Sequence, residues 1–491
     1  MATKSTALKE VMLPASLVIA FVMVIFLSGC KGKDNPEIQV PPEPGKAQVY
    51  VTKGDKSLLF SKEEELQIDA AASVAFPVIS IDTGFRFQEV EGYGAALTGS
   101  SAYLLKNKLD QAVRQELLKE LFDPEAGIGV SYLRLTMGAS DFSLSDFTYN
   151  DLPSGQTDYS LEHFSLAQDM DDVVPVLKEI VRISPEIKLM GSPWSPPAWM
   201  KTNGNLKGGK LRLDCYGVYA DYFVKYIQAM KEQGITIDAI TPQNEPLYFT
   251  AGYPCMEMQP SEQLAFIKNS LGPKFETADI SSKIIVYDHN WDNPQYPISI
   301  LNDAGAAGYV AGSAFHAYAG NVSAMTAVHN AHPEKGLYFT EISGGAWATD
   351  FAGNLMWNMQ NIFIGTARNW SKNALLWNLA LDENFGPQNN GCNNCRGVIT
   401  INSATGAITR NEEYYSVAHF SKFVRPGAVR IATTIPQSLP NCMAVGFQNP
   451  EGSKVLVVAN DNIDAKTFSV NQGSVNFNYE LPAKSVVTFV W

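Results

Sequence analysis

Apolar, β-branched-rich runs recur through the middle of the chain at 90–97, 130–137, 187–191, 237–241, 283–287, 311–315, 337–340 and 374–379. Most of them stop at Gly, Pro, Asn or a residue able to do chemistry. Between many of them lie stretches of helical periodicity, for example 102–122, 214–233 and 261–271. Strand and helix alternating eight times is the pattern of an α/β fold of the (β/α)8 TIM-barrel type. In that architecture the strand ends face the site, so the residues that follow each run form a set of candidates: Trp194, Asn244, Glu245, His289, Asn290, His316, Tyr318, Glu341, Trp377 and Asn378.

After Arg425-Pro426-Gly427 the pattern shortens to alternating runs at 429–432, 442–448, 454–459, 467–470 and 485–491, separated by Gly, Asn and Pro turns. This reads as an all-β module. The alternation around 48–52 and the run 66–72 suggest short N-terminal strands whose partners are distant in sequence. The two sets together predict a flanking β-sandwich built from both terminal segments, 48–88 and 426–491, around a barrel at 89–425.

The first residues read differently. Lys4 and Lys9 precede an apolar run at 11–27 that closes on Leu27-Ser28-Gly29-Cys30. The ending resembles a bacterial lipoprotein signal, with 1–29 removed and Cys30 lipidated. The competing reading is a transmembrane anchor of about 18 residues. Residues 30–47 are Pro-rich and charged, as in a flexible tether. The expectation is a lipid-anchored protein at the bacterial cell envelope, on the outer membrane or cell surface, touching the membrane through that anchor alone.

A chain of 491 residues with 45% apolar, 11% aromatic and 18% charged positions is long enough and apolar enough for a large core and a second, smaller unit. A formal charge of −13 argues against nucleic acid as a partner, since phosphate binding requires basic surface. If Cys30 carries lipid, Cys215, Cys255, Cys392, Cys395 and Cys442 remain, an odd set in which at least one thiol has no partner within the chain. Cys392 and Cys395 form a lone CxxC, too few ligands for structural zinc, and read as a small loop disulfide or a redox motif. No HExxH or paired-His spacing occurs, so neither a metal nor another cofactor is expected.

The chemistry concentrates at two strand ends. In Thr241-Pro242-Gln243-Asn244-Glu245-Pro246 the proline removes a donor and fixes φ, which stops the strand on an amide and an acid. Glu341 closes the run 337–340 and opens into Ile342-Ser343-Gly344-Gly345. Two acids facing one cleft are the minimum apparatus for breaking a glycosidic bond, with a separation of about 5 to 5.5 Å for a nucleophile and a wider one for an inverting pair. Trp194, held in a Pro-rich loop, is expected to offer its indole face to a sugar ring, with Trp377 as a further wall and Trp199 as a loop anchor. Arg134 is placed to orient Glu341 and favour its charged form. Asp141 is placed to accept hydrogen bonds from hydroxyls. His316 and Tyr318 are candidates to touch substrate or nucleophile, a core histidine being the alternative.

The stretches EGYGAALT (91–98), Arg134 with MGASDFS (137–143), SPWSPPAW (192–199), PQNEP (242–246), Thr340-Glu341 and WNLAL (377–381) resemble, in order, those of glycoside hydrolase family 30, which includes glucosylceramidases and β-1,6-glucanases. The resemblance implies a barrel with a side β-sandwich and a retaining double displacement. It makes the residue at Glu341 the nucleophile and that at Glu245 the acid and base, with Asp141, Trp194, Asn244 and Trp377 around the non-reducing glucose. It departs at Ser343 and Ser140, where the family often has cysteine. A lipid-tethered bacterial enzyme points towards a β-1,6-glucan substrate, ahead of glucosylceramide or a simple β-glucoside, a xylan, or non-catalytic glycan binding.

Overall fold

The computed structural model describes residues 45–69 and 76–491. The leader 1–29, the lipidation site Cys30 and most of the 30–47 tether lie outside the described residues, as do positions 70–72 of the run 66–72.

Eight parallel strands follow one another around a barrel: Gly92–Leu97, Tyr132–Met137, Lys188–Pro193, Ala239–Ile240, Lys283–Asn290, Val310–His316, Gly336–Glu341 and Asn373–Leu376. Each falls on one of the eight apolar runs. The ring closes between seventh and eighth strands, where the Lys372 N–H donates to the Leu337 carbonyl at 2.8 Å and the Phe339 N–H to Asn373 Oδ1 at 2.8 Å. The strands are apolar on both faces because both are covered. Tyr132, Met190, Ala239, Ile285, Ala314, Tyr338 and Leu375, one from each of seven strands, pack as a layer inside the barrel.

The helices cover the outside for legible reasons. Val173–Ile183 buries Val173, Val174, Val176, Leu177 and Ile180, a single stripe at helical spacing, and it ends at Ser184 because Pro185 disfavours helical geometry before it. Tyr216–Glu232 stops where Gly234 takes a left-handed φ of 79°. Thr98 caps Gly99–Asn107 by accepting from the Ser101 N–H, a contact worth about 1 kcal/mol.

The second layer joins the ends of the described chain. Lys46–Lys53 pairs antiparallel with Ser485–Val490, Gln48 opposite Val490. Val78–Glu89 pairs with Val429–Thr434 along much of its length and in parallel with Lys466–Gln472 at its start, so one long strand links two parts of a ten-stranded sheet. The inward alternate residues, among them Val49, Val51, Leu456, Phe468, Phe477 and Phe489, form a core separate from that of the barrel. The last barrel helix, Glu412–Ser421, is tied to this sandwich by His419, whose ring nitrogens bond Thr488 Oγ1 at 2.8 Å and Thr52 Oγ1 at 2.9 Å. Burial lowers the His419 pKa to about 3, so the imidazole is neutral and bridges two hydroxyls. Among the described residues no helix is long and apolar enough to cross a membrane.

Candidate active site

The fourth strand stops at Ile240, and the chain then turns inward over the barrel mouth. Glu245 has a left-handed φ of 43°, unusual for a residue with a side chain, and its N–H is held by the Asp288 carbonyl at 3.0 Å. Glu341 ends the seventh strand in ordinary extended geometry. One carboxylate oxygen of each acid and a ring nitrogen of His316 all lie within 4.8 Å of one another. Neither acid is sealed: the Glu245 and Glu341 side chains are 15% and 7% exposed. That spacing suits direct attack by one carboxylate and leaves too little room for the intervening water of an inverting pair.

A residue that sequence reasoning passed over organises this pair. Asp288, at the end of the fifth strand and fully buried, receives Arg134 Nη2 at 2.8 Å, Ser192 Oγ at 2.7 Å and Thr241 Oγ1 at 2.7 Å on one oxygen. Its other oxygen receives Thr340 Oγ1 at 2.7 Å and bonds His316 Nε2 at 3.0 Å. The signal was present: the run 283–287 ends on an acid, as do the other two. Asp288 and Tyr287 also have left-handed φ values of 59° and 77°, which turns the carboxylate inward. Backbone strain of this kind persists where surrounding bonds over-determine it.

From this hub the contacts fan out. Arg134, wholly buried, donates Nη1 to Glu341 Oε2 at 2.5 Å and Nη2 to Asn244 Oδ1 at 2.7 Å. Asn244 thus has its carbonyl occupied and its NH2 left to donate. Tyr318 Oη donates to Glu341 Oε1 at 2.9 Å, and His316 Nδ1 lies 2.9 Å from Glu245 Oε1 and 3.9 Å from Glu341 Oε1. His289 stands 4.0 Å from Glu245. The structure therefore brings together Arg134, Asn244, Glu245, His316, Tyr318 and Glu341 at one mouth.

Electrostatics divide the two acids. Burial pushes Glu245 upward, but the His316 hydrogen bond and charge outweigh it and hold its carboxyl below the ordinary range. Burial dominates at Glu341 and raises it, with the Glu245 charge adding to the rise against His316 and Arg134. Asp288 is held well below the carboxylate range, its burial overcome by Arg134 and His316. Although burial works against its charge, His316 is raised to about 9 by Glu341, Asp288 and Glu245. The carboxyls share one imidazole, so they titrate as a unit. The Glu245, His316 and Glu341 atoms are the one set among the described residues close enough to hold a cation. Their bonds to one another, to Arg134 and to Tyr318 already occupy them.

Asp141, Trp194 and Trp377 form one wall. Trp194 is corrected from an open platform to a packed one: it is 2% exposed, its ring lies 5.2 Å from that of Trp377 at 19°, and the Arg134 guanidinium stands 4.9 Å from it. Arg134 stands 5.5 Å from the Trp377 ring as well, so it lies beside the indole pair, and Trp194 is nearly covered by its neighbours. Asp141 is pushed well above the carboxylate range by burial and by the Glu341 charge, and Trp377 hydrogen-bonds to it. Behind the wall runs the loop closed by the Cys392–Cys395 disulfide, which settles that CxxC as a crosslink, leaving Cys215, Cys255 and Cys442 free. Asn389 donates its N–H to the Asp141 carbonyl at 2.7 Å, and Cys395 packs with Trp194 and Trp377. Trp199 donates to Asn150 Oδ1 at 2.9 Å, as a loop anchor would. Ser140 and Ser343 satisfy themselves locally, on the Phe142 N–H and the Gly344 carbonyl.

Comparison with known proteins gives concordant results. Residues 90–424 match the model of the glycosyl hydrolase family 30 TIM-barrel domain, and 427–489 that of the glycosyl hydrolase family 30 beta sandwich domain. An endo-1,6-beta-D-glucanase of Neurospora crassa is 37% identical over 427 residues, covering 82% of this chain and 86% of that protein. The lysosomal acid glucosylceramidase of Mus musculus is 29% identical over 436 residues, 83% of this chain and 82% of that one. Among solved structures, an endo-beta1,6-glucanase superposes with a TM-score of 0.84 at 37% identity, covering 91% of this chain and 99% of its own.

Proposed function

Because this chain belongs to glycosyl hydrolase family 30, we propose that it cleaves β-1,6-linked glucan within the chain, with retention of configuration, through a covalent glycosyl-enzyme. The observation that carries the mechanism is the approach of Glu245, His316 and Glu341 atoms to within 4.8 Å. The substrate follows from relatives named as endo-1,6-β-glucanases at 36 and 37% identity and from the structural neighbour of the same name.

In this reading Glu341 attacks the anomeric carbon. Arg134 and Tyr318, which both donate to Glu341 and neither of which donates to Glu245, orient it and favour its charge. Glu245 protonates the departing oxygen and then takes a proton from water. In the empty site burial favours a proton on Glu341 while the His316 bond favours charge on Glu245, so one proton has to move from Glu341 to Glu245 before attack, and His316, bonded to Glu245 and 3.9 Å from Glu341, lies between the two. Asn244 donates through its NH2 to a sugar hydroxyl, and Asp141 accepts from others while its neighbour Trp377 lines the pocket. A second reading, cleavage of glucosylceramide, is favoured by a relative 31% identical over 91% of this chain, a putative glucosylceramidase of Caenorhabditis elegans.

The test is a panel of β-1,6-glucan, glucosylceramide, xylan and an aryl β-glucoside offered to the purified protein. Fastest turnover of the β-1,6-glucan supports the first reading; fastest turnover of the glycolipid replaces it with the second, and absence of turnover on all four would favour a glycan-binding protein. We further propose anchoring at the cell envelope through lipid on Cys30, supported by Lys4, Lys9, the apolar run and the Leu27-Ser28-Gly29-Cys30 ending. The wild type should incorporate a labelled fatty acid and Cys30→Ser should not, and absence of label from the wild type would refute the anchor.

A further inference from the structure

Beyond the catalytic pair, on the ends of the sixth and seventh strands, lies a second cavity of about 520 Å³. It lies within the size range of small-ligand sites. Tyr318 belongs to both places: its hydroxyl holds Glu341, and its ring lines the cavity. The lining also includes the chain just after the nucleophile, 342–345, with Trp347, Asn354, Trp357, Asn358 and Glu413.

The local sequence is built to make this cavity. A Cβ on Gly344 would lie 1.9 Å from Glu413 Oε1, and one on Gly345 would lie 2.0 Å from the Trp347 ring. The two glycines thus let a carboxylate and an indole approach the main chain directly. Their position is fixed from behind by pairing with Cys395–Arg396, next to the disulfide, and by the Ala346 N–H bond to Asn394. Arg396 is shared by Glu412 and Glu413, at 2.7 and 2.8 Å, so one guanidinium serves two acids. Trp347 is 56% exposed and Trp357 43% exposed, large indoles left partly uncovered.

The lining selects its occupant. Indoles suit the apolar face of a pyranose, while the Glu413 carboxylate and the two Asn side chains offer acceptors to hydroxyl groups. An anion meets the Glu412 and Glu413 charges. An acyl chain leaves Asn354, Asn358 and Glu413 facing hydrocarbon, a desolvation cost with no return. None of Asp141, Trp194 and Trp377 lines this cavity, which meets the catalytic pair at Tyr318 and at the chain that follows Glu341.

We propose that this cavity is a subsite for a glucosyl unit on the leaving-group side of the scissile bond, with Trp347 as its platform and specificity-determining residue. The inference rests on the β-glucan reading above. It is tested by comparing the full-length protein with Trp347→Ala and Trp347→Phe on a β-1,6-gluco-oligosaccharide and on p-nitrophenyl β-glucoside, whose leaving group is not a sugar. The expected result is a fall of about tenfold or more in the ratio of kcat/KM for oligosaccharide over aryl glucoside in Trp347→Ala, mostly recovered in Trp347→Phe. Wild-type turnover of the oligosaccharide with that ratio unmoved in Trp347→Ala would overturn the subsite alone. Failure of the wild type to cleave the oligosaccharide while it cleaves the aryl glucoside would overturn the β-glucan reading and the subsite with it.

Discussion

The barrel carries a buried charge cluster at each end, and the two are built on opposite principles. At the foot, Glu91 receives Lys283 Nζ at 2.7 Å, Lys372 Nζ at 3.0 Å and Tyr338 Oη at 3.0 Å. Burial pushes its carboxyl up, yet the two lysines outweigh burial and hold it below its ordinary value. Each lysine also reaches solvent, with 41% and 25% of its side chain exposed. At the mouth, Asp141, Glu245, Asp288 and Glu341 face Arg134 and His316, both with side chains fully buried. Acids outnumber cations, so the carboxylates are driven apart in their affinity for protons. Two cations on one acid keep that acid charged and hold strands together; an excess of acids over cations keeps a proton available for transfer.

The contrast can be broken from either end. The largest effect is expected for Glu341→Gln, a loss of about 10⁴-fold or more in kcat/KM, with no covalent adduct seen by mass spectrometry with a 2-fluoro glucoside. Ordinary turnover by that variant would remove the nucleophile from the account. Glu245→Gln should lose about 10²- to 10⁴-fold on substrates with poor leaving groups and distinctly less on dinitrophenyl glucosides, which leave without a proton. Arg134→Met strands buried carboxylates and should cost about 3–5 kcal/mol in denaturant unfolding along with activity. At the foot, Glu91→Gln should cost about 1 kcal/mol and leave kcat/KM within about twofold, because lysines that reach water tolerate the loss of a partner. A foot variant that damaged catalysis as Arg134→Met does would erase the distinction.

The ends should also differ with pH. Folding raises His316 to about 9, so its contribution is complete below the unfolded value of about 6.5 and is lost as pH rises through about 9. Folding lowers Glu91, so its contribution is present above the unfolded carboxylate value and is lost as pH falls. Stability measured against pH should therefore lose its alkaline shoulder in His316→Asn, by roughly 3 kcal/mol at most, and change mainly on the acid side in Glu91→Gln.

Much of this was legible in the chain. The eight runs became the eight strands because a barrel strand is buried on both faces and is apolar except where it carries the site. Glu245 and Glu341 stood out because an acid ending such a run has nowhere to go but the mouth. Asp288 obeyed the same rule and was missed because it hides in Asp288-His289-Asn290, where a histidine draws attention first. The stacking of Trp194 on Trp377 was not readable, since it depends on a loop from beyond the eighth strand that seats Asp141 and the disulfide against both rings. Neither was the cavity under Trp347: in the sequence Gly344 and Gly345 only follow the seventh run, and it is the approach of Glu413 from the last helix and of the Trp347 ring that shows why they are glycines.

The central claim is that Glu341 reaches the sugar directly, with Glu245 close beside it. Proton NMR of the first product released, recorded before mutarotation, tests this most directly. Retention predicts the β anomer at the earliest times, followed by slow appearance of α. Early accumulation of the α anomer would mean that water, and not Glu341, attacks the anomeric carbon.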